Sequence, residues 1–240
     1  SAEVHTDYSI LKRPNNYTAQ PVINDDIRRS LSLILRIDPN NYRAIDWGDG
    51  DYTRFRITDF PYITMSYENA SKNLLNSTFD NRRYSIEIYG SNKLSSRIRP
   101  TYKMGFKFMN GTVPYQDLLY FDVFKSVNDA MTFAAMDYNE FAGTQLAYFN
   151  IENNFGKFFP RSIPFLNTID VILFFNAGRS LISDDAQKML LSDNVKSTDG
   201  TFMEAGFALA NVLDVVRLNF GWRLNNYRPG SNFLFYLSFF

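Results

Sequence analysis

The chain has no cysteine and a single histidine in 240 residues. Without cysteine there is no disulfide framework, no thiol nucleophile and no cysteine-ligated metal. A Ser-His-Asp triad or a histidine metal site would rest on His5 alone, which sits near the N-terminus and reads as an exposed terminal side chain. No apolar run reaches the roughly 18 residues that a transmembrane helix needs. Neither sign of charge dominates, since 25 basic residues balance 25 acidic ones. Net charge therefore gives no pull toward nucleic acid or toward an anionic membrane surface. The opening Ser-Ala-Glu-Val-His-Thr lacks the basic and apolar segments of an export signal, so any such signal is expected upstream. No Gly-Lys-Ser/Thr phosphate loop and no Gly-x-Gly-x-x-Gly before a helix occurs.

Aromatic residues, by contrast, are abundant. Phe 23, Tyr 15 and Trp 2 make 17 % of the chain, while mean hydropathy stays below zero. Two all-β architectures combine these properties. One is a soluble binding module with an aromatic-rich core. The other is an outer-membrane barrel, with an apolar lipid face, a polar lumen and aromatic girdles.

Apolar and polar residues alternate with period two through most of the chain. Leu31, Leu33 and Leu35 share one face; Met104, Phe106 and Phe108 share another; Leu218, Phe220 and Trp222 share a third. In a barrel these nine face lipid. Between or beside them stand Lys103, Lys107, Glu152, Glu204, Arg217 and Arg223, which are expected to point into the lumen. The spacing predicts strands over roughly 30–38, 52–58, 62–70, 80–92, 97–109, 130–136, 141–154, 169–179, 201–212 and 215–240, the last holding a hairpin. Many have the roughly nine to eleven residues that cross a bilayer at a tilt. A short helix is expected within 184–191. The chain closes on an amphipathic strand carrying Phe233, Phe235, Leu237 and Phe239, with Phe240 as terminal aromatic. An ending of this form is the signal by which barrel assembly machinery recognises outer-membrane proteins.

Candidates for chemistry are few. Asp46-Trp47-Gly48-Asp49-Gly50-Asp51 has the oxygen density of a calcium loop, but Ile57 stands where the twelfth-position Glu belongs, so a polar turn is the better reading. Glu140, Glu152 and Glu204 could be paired catalytic carboxylates. With no mid-chain histidine, lumen ion pairs with Arg217 and Arg223 account for them better. No cofactor, no metal and no enzymatic activity are expected.

From Ile27 onward the chain resembles a family of Bacteroidota outer-membrane barrels that carry a carboxypeptidase-regulatory-like domain before the barrel. The resemblance rests on Arg36-Ile37-Asp38-Pro39, on 59–67 (Asp-Phe-Pro-Tyr-Ile-Thr-Met-Ser-Tyr), on 111–119, on 136–141, on 160–166, and on Glu204-Ala205-Gly206-Phe207 through 217–224. That family is similar in turn to the outer-membrane assembly-factor and surface-antigen superfamily. Residues 145–155 resemble the superfamily strand that follows its sixth extracellular loop. Assembly and secretion members carry an Arg-Gly-aromatic motif in that loop, and the matching stretch, 123–136, has no Arg-Gly. The resemblance thus implies the fold without the assembly or secretion mechanism. It implies an all-β, antiparallel transmembrane β-barrel, with residues 1–240 supplying the C-terminal strands, about ten, of a barrel of about sixteen. A non-enzymatic bacterial outer-membrane protein follows, serving as membrane anchor, assembly or transport component. Its expected partners are outer-membrane lipid, the barrel assembly machinery and other outer-membrane or periplasmic proteins, with no nucleic acid.

Overall fold

The computed structural model is one ten-stranded antiparallel sheet with two small hairpins attached. It describes residues 2–11, 26–40, 42–46, 52–56, 58–77, 80–92, 94–95, 98–111, 117–123, 131–157, 168–184, 186, 196–198, 200–212, 215–230 and 232–239. The hairpins are β3 (Tyr42–Asp46) with β4 (Tyr52–Arg56), and β8 (Leu119–Tyr120) with β9 (Ala142–Gly143). The large sheet runs β1 (Ala2–Leu11), β2 (Asp26–Ile37), β5 (Tyr62–Ala70), β6 (Asn81–Ser91), β7 (Pro100–Gly111), β10 (Gln145–Lys157), β11 (Asp170–Leu181), β12 (Phe202–Val212), β13 (Val216–Arg223) and β14 (Phe233–Phe239). Each strand pairs antiparallel with the one before it in this order. Among the described residues β1 and β14 each pair on one side only.

Register carries the alternation across the whole sheet. Leu35, Met65, Ile86, Phe106 and Ala147 lie in one cross-strand row. Leu173, Phe207, Phe220 and Phe235 lie in another. Leu33, Leu35, Ile37, Ile86, Phe106, Leu173, Trp222, Phe235 and Leu237 are exposed although large and apolar. Aromatic pairs tie this outer face together. Phe207 stacks on Phe220 at 4.7 Å, and Trp222 meets Phe233 at 4.9 Å. On strands 5 Å apart such pairs form whenever aromatics fall opposite one another.

The inner face is polar toward one side of the sheet and aromatic toward the other. Ser66 and Ser85 hydrogen-bond across β5 and β6 at 2.6 Å. Further along, Tyr148, Phe174 and Phe202 are buried. Small residues make room for these rings. A Cβ on Gly178 would stand 2.5 Å from the Phe121 ring, and one on Gly206 or Gly221 would approach Phe174.

Several sequence expectations need correction. Residues 130–136 do not form a barrel strand. Met131, Phe133, Ala134, Ala135 and Met136 are all buried, and the segment packs under the sheet, touching strand geometry only at the Val123–Phe133 bridge. A run that is apolar on every side looks like a strand by periodicity but satisfies a buried coil equally well. Residues 52–58 supply β4, which pairs with β3 outside the large sheet. The ten strands are reached instead because β1 joins the sheet and 215–240 contributes two. The strand near Leu31 is not an edge of the sheet: β2 is paired on both sides, with β1 and β5. The helix expected within 184–191 falls almost wholly outside the described residues, as does the polar turn 46–51 apart from Asp46. His5 belongs to β1, where it pairs with Ser32.

Candidate functional site

The connection between β7 and β10 does not stay at the rim. It turns inward and fills the inner face of β10–β13. Phe121, Val123, Phe133, Met136 and Phe141 from the connection pack with Leu146, Tyr148 and Phe202 from the strands. Phe133 meets Phe121 at 5.0 Å and Phe202 at 5.8 Å, both edge-on. The result is a small hydrophobic core on the inner face, here called the plug.

The plug is held at three places. The first is at its entry. Asp117 is ion-paired with Arg83 and lies 3.1 Å from Arg28, and Asn81 donates to it at 2.9 Å. Arg28 also pairs with Glu68, which accepts from Ser30 at 2.6 Å. The second is midway. Asp122 lies 3.2 Å from Lys103 and 3.7 Å from Lys107. Lys103 also faces Glu87 at 3.4 Å, and the Tyr148 hydroxyl donates to Glu87 at 2.5 Å.

The third is at the exit, where strand side chains grip main chain. Glu204, fully buried, accepts the N–H groups of Ala134 and Ala135 at 2.6 and 2.7 Å. Asn176 donates to the same carboxylate at 2.7 Å and to the Thr132 carbonyl at 3.1 Å. Arg223, directly across the ladder from Glu204, donates to the Ala135 carbonyl at 2.8 Å. Its two terminal nitrogens donate to Glu140 at 2.8 and 2.5 Å, a bidentate pair. The Arg223 side chain is 0 % exposed and its guanidinium sits 5.3 Å over the Phe202 ring. One acid and one base on neighbouring strands thus bracket the main chain at Ala134 and Ala135, satisfying polar backbone that burial would otherwise orphan.

The sequence-derived charges occupy this face as follows. Lys103, Glu204 and Arg223 stand in one cross-sheet row with Asn150 and Asn176. Lys107 lies one turn of the pleat away. Arg217 pairs with Glu152 at 3.0 Å near the opposite end of the strands, apart from the plug. Phe233, Phe235 and Leu237 lie on the outer face of β14, exposed, with Ser238 buried on the inner one. The Phe239 side chain and Phe240 fall outside the described residues. Sequence reasoning missed Arg28, Glu68, Arg83 and Asp117. Each of the first three has one apolar outward neighbour (Ile27, Tyr67, Tyr84) and one polar one (Arg29, Asn69, Arg82), so period two marks them only weakly. Asp117 lies in a connection and carries no such signal.

Chemically the arrangement is occupied. The carboxylates of Glu204, Glu140 and Glu152 each face donors of this same chain, so they act as anchors. Over 94 % of its length the chain is similar to a solved structure, BamA from Haemophilus ducreyi lacking POTRA domains 1–3, with a TM-score of 0.56 at 13 % identity. The fold resembles that of this BamA chain. The match covers 46 % of the BamA chain, so this chain spans less than half of its relative. At that identity the likeness concerns the fold alone. No family model matches the chain, and no curated protein does.

Proposed function

We propose that the chain is the wall of an integral outer-membrane β-barrel that is plugged by its own β7–β10 connection and works without catalytic chemistry. Its role is that of a membrane anchor or a component of assembly or transport. The observation that carries this reading is the division of one sheet into two faces. Outward, rows of Leu, Ile, Phe and Trp are left exposed over strands of seven to thirteen residues. Inward, charges are paired and a connection is bound. A soluble module would cover the outward rows with a second layer, and lipid is the medium in which they need none. The BamA-like fold supports an outer-membrane setting. The resemblance to Bacteroidota barrels supports a periplasmic domain upstream and assembly by machinery that reads the Phe233–Phe239 strand.

The carboxylates support a non-enzymatic role, because each is engaged with backbone, arginine or lysine of the chain itself. The test is the full-length protein extracted from membranes. The reading expects it to require detergent for solubility and to migrate faster in electrophoresis when unheated than when boiled. A monomer that stays soluble without detergent would overturn it.

A further inference from the structure

One part of the outer face is not filled. In the row Leu35–Met65–Ile86–Phe106 the next position is Ala147, and beside it Ala177 follows Met104 and Phe149 in the adjoining row. The two alanines are diagonal neighbours on β10 and β11, within reach of one another's cross-strand partners. Large side chains surround them, and a trough of about 460 Å³ opens between Ile86, Phe106 and Phe149. That volume lies within the ~300–1,000 Å³ of small-molecule sites. The lining is almost wholly apolar.

At the head of the trough stands Arg179, directly opposite Ala147 and two residues before β11 ends. It is exposed, and among the described residues no carboxylate is paired with it. Thr201 lines the same head. A guanidinium left on a lipid-facing surface is costly at the midplane and cheap only near the interface, where an anion can reach it. An apolar trough ending in a guanidinium that no described carboxylate neutralises has the complementary shape and charge of one acyl chain ending in a phosphate.

We propose that this trough binds a phosphate-headed membrane lipid, one acyl chain lying over Ala147 and Ala177 and the phosphate on Arg179. The proposal rests on reading this face as membrane-facing. The planar guanidinium offers two parallel donors to phosphate oxygens, which a single amide cannot.

The experiment takes delipidated full-length protein in dodecyl maltoside and titrates it with dioleoyl phosphatidic acid, counting bound lipid by native mass spectrometry. Dioleoylglycerol supplies the chains without phosphate, and inorganic phosphate supplies the anion without chains. The wild type is expected to retain one phosphatidic acid. Arg179→Gln should weaken retention about tenfold, the loss of a charge-assisted pair. Arg179→Lys should recover part of it. Ala177→Leu should block retention by filling the trough, while Arg82→Gln, at another exposed arginine of the outer face, should leave it unchanged. Retention equal to wild type in both Arg179→Gln and Ala177→Leu overturns the proposal, and so does full displacement of the lipid by inorganic phosphate. Each variant is first checked for heat-modifiable migration. A heat-modifiable protein that retains no lipid defeats the lipid site alone, whereas a protein soluble without detergent defeats the barrel reading beneath it.

Discussion

The plug is fastened at its entry and at its exit by opposite means. At the entry the connection supplies the acid, Asp117, and the strands supply two bases, Arg28 and Arg83. At the exit the strands supply both charges, Glu204 and Arg223, and the connection supplies main-chain N–H and C=O together with Glu140. The entry is a contact between side chains, partly open to water at Arg83, whose side chain is 25 % exposed. The exit is closed. The contrast shows how a buried coil can be fixed mainly from the wall: at the exit the connection presents backbone and one side chain, Glu140, to charges carried by the strands.

The comparison can be broken first at the exit. Arg223→Ala removes the arginine partner of Glu140 and the donor to Ala135, leaving the half-buried Glu140 carboxylate, among the described residues, with the Asp137 N–H alone. Breaking a buried pair in this way costs about 3–5 kcal/mol. Thermal unfolding in detergent, read by loss of the heat-modifiable band, should show the largest drop of any variant here. Next comes the outer face. Phe106→Arg places a guanidinium in the lipid belt at about 2–4 kcal/mol, and should hinder folding into vesicles, whereas its neighbour Lys107→Glu on the inner face should not. Equal yields from the two would contradict the assignment of faces. The entry clamp should respond less. Asp117→Asn keeps the shape and some hydrogen bonds, and Glu68 remains beside Arg28, so about 1–3 kcal/mol is expected. If Asp117→Asn proves as damaging as Arg223→Ala, the distinction between the two anchor points is lost. Smallest is Lys107→Glu itself. Its ion pair with Asp122 is 3.7 Å long and half exposed on the acid side, so the loss should stay within about 1 kcal/mol.

How much of this was legible depends on what each residue answers to. The faces answer to a local rule, period two, which is why Phe106 and Lys107 can be assigned from their neighbours. β1 obeys the same rule, with Val4, Tyr8 and Ile10 against Glu3, His5 and Asp7, but Thr6 interrupts the apolar set and weakens the signal. The plug answers to no local rule. Residues 131–136 are apolar except for Thr132 because they are surrounded, and nothing in their order says by what. The partners of Glu204 lie 69 and 70 residues away in the chain, on backbone amides that every residue possesses. Sequence shows that Glu204 sits between apolar neighbours on a strand; only the fold shows which peptide it holds.

The central claim is that one sheet separates lipid from a plugged polar interior. A chain without cysteine permits single-cysteine spin labels at chosen sites without background. Labels at Leu33, Ile86 and Phe235 sample the outer rows, and labels at Ser66 and Ser85 the inner face. In vesicles, the outer labels should relax faster with membrane-dissolved oxygen than with a water-soluble nickel chelate. The inner labels should show the reverse or resist both. Outer labels that are quenched chiefly by the nickel chelate would contradict the account.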